Sequence, residues 1–310
     1  MKFLVYLFIK SYRLTSRIYS TKGYKSTMKV NLVGAGYWGS KVDQSLKKLG
    51  VSTNIIDIKN GQTIDDIKNT DPVILATPLW QHYEQTVELL SRGHDVYVEK
   101  PMAETEEQLE HIARIVDNHI LMVGHIFIHH PQMEKITNID IGEIIHVSSE
   151  RSNWGIYQTK TDPLLSLAVH DISIVQELIG TIKPTVARQF NFTSQTNPDR
   201  VWFSGERFDI DVSWYSPTRI RRTTILGTKG QIVWDQDQNT VTHYLNRVTD
   251  NRAIAVSPTV YIYDYDKSPL EYELEHFINC VKSRKQPTTN INSALAVADT
   301  VDQVKNLLSK

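Results

Sequence analysis

From Met28 onward the chain alternates short apolar runs with helical segments, and the first junction is a glycine turn, Gly34-Ala35-Gly36-Tyr37-Trp38-Gly39. Lys29–Val33 reads as a buried strand, and Tyr37 to Leu49 carries helical spacing that stops at Gly50. Thr53–Ile58 is a second strand with Asp57 near its end, and Asp65 to Lys68 a short helix. Pro72–Ala76 is a third strand, followed by Thr77-Pro78 and a helix from Trp80 to Arg92. Asp95–Val98 is the next strand, Glu104 to Asn118 an amphipathic helix, and Ile120–Gly124 a further strand. Apolar runs separated by helices cannot pair as hairpins. They predict an α/β domain over residues 28–124, a doubly wound parallel sheet covered on both faces.

After about His125 the rhythm changes. Glu143–Glu150, Thr185–Phe192, Phe208–Trp214, Thr223–Leu226, Gln231–Trp234 and Val260–Tyr263 are strand-like and rich in β-branched and aromatic residues. One helix, around Pro163 to Ile179, interrupts them. The pattern predicts an open, mostly antiparallel sheet with a helix on one face, as a second domain over residues 125–290. Two helices finish the chain, Leu270 to Ser283 and Ile291 to Leu308, and residues 291–310 form a separate C-terminal element.

Residues 1–27 differ from the rest, because Lys2, Lys10, Arg13, Arg17, Lys22 and Lys25 are basic and nothing there is acidic. They read as an extension upstream of a start at Met28. A targeting segment and a membrane contact are the other readings, although Phe3 to Ile9 is far too short to span a bilayer. The net charge of -1 gives no electrostatic case for nucleic acid. Cys280 is the only cysteine, so an intrachain disulfide and a cysteine-based zinc site are excluded. A cytoplasmic protein is expected, with a small-molecule substrate and neither a nucleic-acid nor a membrane partner.

The glycine turn follows a strand, opens a helix and precedes an acid by about twenty residues, the setting in which such a turn cradles a dinucleotide pyrophosphate. Gly34, Gly36, Tyr37, Trp38 and Gly39 are its candidate contacts. Asp57 is placed to accept hydrogen bonds from ribose hydroxyls and to repel a 2′-phosphate, which favours NAD over NADP. Thr77 and Pro78 end the third strand and would line the same crevice. His82 either joins them or lies on a helix surface. Glu99-Lys100-Pro101 closes the Asp95–Val98 strand, where a side chain points into the ligand crevice. Pro101 disfavours helix at Lys100, so the lysine is held extended. A partly desolvated lysine there suits proton transfer beside a nicotinamide, with Glu99 orienting it or touching the ribose. His125, His129 and His130 have poor spacing for a metal, and no metal is expected; His125 is placed instead along the crevice.

In the second domain Asp162 is a good N-cap with Pro163 after it. Ser166 and His170 are four apart on the following helix and share a face, with Ser173 nearly on it. Asp171 is adjacent to His170 in the helix, so the two do not form a dyad.

These residues together resemble the Gfo/Idh/MocA family, the glucose–fructose oxidoreductase and inositol dehydrogenase relatives. The resemblance rests on the Gly34 turn, Ala76-Thr77-Pro78 with His82, Glu99-Lys100-Pro101, Gly124-His125, His130-Pro131, Ile141-Gly142-Glu143-Ile144, Gly227-Thr228-Lys229-Gly230 and the last helix. It implies a Rossmann domain, an open-faced α/β substrate domain, a final helix packed back near the first domain, and a homodimer or homotetramer formed through the open sheet. Ser152-Asn153-Trp154-Gly155, Thr161-Asp162 and Leu167-Ala168-Val169-His170-Asp171-Ile172-Ser173 look most like the branch acting on nucleotide-linked sugars. That branch oxidises a ring hydroxyl, commonly C3 of a UDP-linked N-acetylated sugar. The resemblance therefore implies Lys100 and His170 as catalytic residues, with Asn153, Asp162 and Ser166 facing substrate. One departure stands out: the family has aspartate four residues before the histidine, and this chain has Ser166. Serine supplies neither an acid–base group nor a charge at neutral pH. Two other readings therefore remain beside the dehydrogenase, a non-catalytic dinucleotide-binding sensor and an NAD-dependent glycosidase that oxidises its substrate transiently.

Overall fold

The computed structural model describes residues 10–15, 28–155, 161–193, 197–249 and 252–310. They form two compact units. One comprises the described parts of Ile18–His130 with Lys267–Asp299; the other comprises those of Met1–Arg17, Pro131–Asp266 and Thr300–Lys310. The first described strand, β1 (Lys10–Thr15), belongs to the latter.

The unit containing the glycine turn runs β2 (Lys29–Val33), α1 (Tyr37–Lys48), β3 (Ser52–Ile56), β4 (Val73–Leu75), α2 (Leu79–Ser91), β5 (Val96–Val98), α3 (Glu106–Ile115) and β6 (Leu121–Val123). Its strands are all parallel in the order β3-β2-β4-β5-β6. Successive strand residues point to opposite faces. Leu32, Ile74, Tyr97 and Met122 accordingly pack with α1 residues Val42 and Leu46 on one side. Val33, Leu75, Val98 and Val123 pack with Leu89 and Leu109 on the other. A strand buried on both faces needs an unbroken apolar run, as these segments have. Strand order reverses between β2 and β4, which places the ligand crevice beyond their carboxyl ends.

One later helix and the first half of another, up to Asp299, complete this unit. Leu270, Leu274 and Phe277 of the helix Pro269–Ser283 join the first cluster, and Ile291 and Ala294 of the helix Ile291–Leu308 join the second. Where the sequence reading carries its second domain through residue 290, the compact unit claims Lys267–Asp299 for the parallel sheet. The apolar stripe of Pro269–Ser283 explains the difference, because it is buried against that sheet.

The other unit is a nine-stranded sheet in the order β1-β16-β13-β12-β11-β7-β10-β9-β8. Its members are β7 (Ile144–Trp154), β8 (Val186–Phe190), β9 (Arg200–Gly205), β10 (Phe208–Ser213), β11 (Tyr215–Gly227), β12 (Gln231–Asp235), β13 (Thr240–Tyr244) and β16 (Thr259–Asp264), with β14 (Arg247–Thr249) and β15 (Arg252–Ile254) forming a separate hairpin. Pairing is antiparallel except β7 with β10 and β1 with β16. Two helices belong here, α4 (Pro131–Thr137) and α5 (Val169–Ile179). Val147, Phe208, Ile210, Ile225 and Trp234 are buried, while Leu226 and Ile262 are exposed, the alternation of a sheet with one covered face. Ile141-Gly142-Glu143 and Gly227-Thr228-Lys229 lock together through Thr228 N to Glu143 O at 2.9 Å and Lys229 N to Ile141 O at 2.8 Å. A Cβ on Gly142 would lie 2.2 Å from Thr228 Oγ1, so this pair of motifs is structural. Among the described residues, no helix is long and apolar enough to cross a membrane.

Candidate active site

The crevice beyond β2 and β4 is a cleft of about 350 Å³ whose lining includes Gly34, Gly36, Tyr37, Trp38, Asp57, Thr77 and Pro78. Each glycine has its own reason. Gly34 turns the chain at φ +91°, and a Cβ there would lie 2.7 Å from Ala76 O. A Cβ on Gly39 would lie 1.9 Å from Gly34 O, so only glycine lets α1 approach the strand this closely. Gly36 faces open space, since a Cβ added there would meet nothing within 4 Å, and its missing side chain leaves the backbone bare to the cleft. No side chain caps α1 and its first turn carries no acid, so its free N–H groups and positive end remain available to an anion.

Asp57 sits at the far wall. Its Oδ2 accepts from Ala35 N at 2.6 Å and its Oδ1 from Lys59 N at 2.8 Å. The Lys59 and Ala35 amides hold its carboxyl below the usual aspartate range, so it is ionised at neutral pH. An uncapped helix end, a bare glycine backbone and a fixed carboxylate suit the pyrophosphate and adenosine ribose of a dinucleotide.

Glu99 follows β5 and accepts from Trp38 Nε1 and, at 3.1 Å, from the Tyr97 hydroxyl. Lys100 is half-buried next to it, and the Lys100–Pro101 peptide bond is cis. The lysine's charge reaches two neighbours. It favours the ionised form of Glu99 against the burial that raises the pKa of that carboxyl. It also adds to the burial that lowers His125 to about 4. His82, placed either in the crevice or on a helix surface by sequence, is 1 % exposed. Its Nδ1 lies 2.7 Å from Pro101 O and its Nε2 2.8 Å from Thr77 O, so it ties together the two loops that follow β4 and β5. His125 is buried too, and neither ring nitrogen has a hydrogen-bond partner. His129 bonds Thr289 Oγ1 at 3.1 Å and stacks on His276 at 4.5 Å.

The remaining candidates lie in the other unit. Asp162 Oδ1 accepts from Leu165 N at 2.8 Å, as an N-cap does. The first turn after it, Leu164–Ala168, is a π-helix, and α5 starts only at Val169. Such wide turns are frequent at functional sites. Ser166 and His170 are both half-buried, whereas Ser173 turns its hydroxyl to His170 O at 2.7 Å. Asn153 Nδ2 donates to Gly155 O at 3.0 Å.

Two groups escaped the sequence reading. Arg151 of β7 donates to Asp171 through Nε at 2.6 Å and Nη2 at 3.2 Å, and Ser149 Oγ adds a bond at 2.7 Å. Asp171 thus anchors the helix that carries His170. A charged residue at a buried position of an alternating strand was the available signal. The second group, in the unit that holds the cleft, is Tyr97 with Glu273, whose hydroxyl and Oε2 lie 2.9 Å apart.

The fold and the cleft are those of a Rossmann-type dinucleotide-binding unit. Residues 41–127 match the family model GFO_IDH_MocA, described as an oxidoreductase family with an NAD-binding Rossmann fold. Among curated proteins it is 27 % identical to the 2,7-anhydro-N-acetylneuraminate hydratase of Mediterraneibacter gnavus, over 48 % of each chain. The Escherichia coli protein of the same name is 26 % identical over 50 % of each. The chain thus spans about half the length of these two relatives. Among solved structures, UDP-N-acetylglucosamine 3-dehydrogenase from Acidithiobacillus ferrooxidans superposes with a TM-score of 0.78 at 18 % identity, covering 91 % of this chain and 97 % of that one.

Proposed function

We propose that the chain is an NAD-dependent dehydrogenase that oxidises a ring hydroxyl of a sugar or nucleotide-linked sugar, with C3 of a UDP-linked N-acetylated sugar as the first candidate. The observation that carries this reading is Lys100, half-buried after β5 and paired in charge with Glu99, in the unit that holds the cleft. Gly34, Gly36, Trp38 and the start of α1 would hold the pyrophosphate, and Asp57 the adenosine ribose. The ionised Asp57 disfavours a 2′-phosphate at that wall, which supports NAD over NADP. When bound, the nicotinamide supplies a hydride acceptor. Lys100 is assigned to take the proton of the reacting hydroxyl, and His170 is assigned to the substrate side. Ser166 stands where the family pattern has aspartate, so the proton transfer is assigned to Lys100. Asn153 and Asp162 are assigned to the substrate side.

The test is to release and identify the bound nucleotide by mass spectrometry, then follow reduced-nicotinamide absorbance while adding UDP-N-acetylated sugars. A second reading has a specific observation behind it. The two hydratase relatives act on an anhydro sugar, which favours transient oxidation with the cofactor restored in each cycle. Product formation from such a sugar without net reduction of NAD distinguishes it.

A further inference from the structure

Tyr97, Glu99 and Glu273 form a buried chain behind the crevice that the proposed chemistry does not use. The Tyr97 hydroxyl lies 3.1 Å from Glu99 Oε1 and 2.9 Å from Glu273 Oε2. A phenol has one proton and cannot donate to both carboxylates. Two ionised carboxylates on either side of one hydroxyl would leave a repulsive contact in the core, so one of them holds a proton.

The surroundings decide which. Glu99 is partly exposed, receives a second hydrogen bond from Trp38 Nε1, and has the Lys100 charge beside it. Glu273 is 1 % exposed, and its other oxygen, Oε1, has no hydrogen-bond partner. An unpartnered carbonyl oxygen of a neutral acid costs far less than an unpartnered carboxylate oxygen. Phe277 packs on Tyr97 with ring centroids 5.8 Å apart. Glu271, on the same helix as Glu273, is already paired with Lys48 at 2.8 Å. On the β6 side Gly124 lies against the pair, with His125 next in the chain. A Cβ on Gly124 would lie 2.6 Å from the Tyr97 hydroxyl and 3.1 Å from Glu99 Oε2, and His125 is kept neutral. The charge that acts on Glu273 is therefore the negative one of Glu99, whereas Glu99 has the positive one of Lys100.

We propose that Glu273 is a neutral carboxylic acid at physiological pH, donating to the Tyr97 oxygen while Tyr97 donates to Glu99, so that the one negative charge of the chain rests on Glu99 beside Lys100. Glu273 and Tyr97 are positioning residues: they act on the crevice only through Glu99. The burial that raises the pKa of Glu273 well above the usual range agrees with this direction, and Tyr97, raised as well, keeps its proton.

The test is infrared spectroscopy of the full chain without added nucleotide, at about pH 7. The wild type shows the carbonyl stretch of a protonated buried carboxylic acid. Glu273→Gln removes that band and Glu99→Gln leaves it. Glutamine still donates to Tyr97, so Glu273→Gln keeps nucleotide affinity within about twofold, while Glu273→Leu and Tyr97→Phe lose about tenfold and move the pH profile of nucleotide binding upward. A wild type without the band, or a band removed by Glu99→Gln and kept in Glu273→Gln, overturns the proposal. Should Glu273→Gln fail to fold, titration of the wild-type band decides: persistence above about pH 8 upholds it, and loss below about pH 6 overturns it.

Discussion

Asp57 accepts a hydrogen bond from the Ala35 amide at 2.6 Å, so the carboxylate after the second strand of the sheet is tied to the glycine turn after the first. The bond fixes both walls of the cleft with one charged acceptor. Charge-assisted bonds of this kind contribute about 1.5–3 kcal/mol. Asp57→Ala should therefore weaken NAD binding by about 10- to 100-fold and narrow its preference over NADP. Equilibrium dialysis with both nucleotides measures it. Because its amide partners lower the folded pKa of Asp57, the contribution is present above the ordinary aspartate range and is lost as pH falls through the folded value. NAD affinity should therefore show no loss from Asp57 protonation until pH falls below the ordinary aspartate range.

Arg151 and Asp171 form a buried ion pair at 2.6 Å beneath the helix that carries His170. Removing one partner leaves an uncompensated charge in the core. Arg151→Met should cost about 3–5 kcal/mol, read as a lower urea midpoint. Adding Asp171→Leu should restore much of that loss, a non-additivity that a surface pair would not show.

His125 and His130 are buried and held at about 4, well below an unfolded histidine. The unfolded chain takes up protons on them as pH falls and the folded chain does not. Their contribution is complete above about pH 6.5 and declines between there and about pH 4. Each accounts for about 2 kcal/mol of lost stability at about pH 5. Urea titrations of the wild type and His125→Leu at neutral and acid pH should show the variant losing less by about that amount.

Much of this was legible in sequence. Apolar strands punctuated by glycine marked the parallel sheet, the Gly34 turn and Asp57, because local spacing encodes them. The helix Ile291–Leu308 appears with the bounds its periodicity predicts. What escaped was encoded by distant partners. Glu273 and Tyr97 are 176 residues apart in sequence, and nothing local marks either as half of a pair. Strands β9 and β13 are short and polar on one side, and β13 joins a run with few apolar positions. The Lys10–Thr15 strand is defined by its parallel partner Thr259–Asp264 rather than by its own pattern. The π-turn at Leu164–Ala168 is equally invisible to a spacing rule that assumes regular α-helix.

Ser166 stands one turn before His170, where a carboxylate would support a charged imidazole. Ser166→Asp should raise kcat on the authentic substrate by about tenfold or more and lift the basic limb of the pH–rate profile. An unchanged rate with unchanged profile would mean that His170 does not need a charged partner in this protein.

The proton-transfer role of Lys100 is tested by reduced-nicotinamide absorbance after adding UDP-N-acetylated sugars to the NAD-loaded protein, for the wild type and Lys100→Met. Sugar-dependent reduction is expected in the wild type, and a loss of about 100-fold or more in the variant, with NAD still bound. Equal rates in the two proteins, or NAD-loaded wild type inert towards every sugar tried, would contradict a dehydrogenase that works through Lys100.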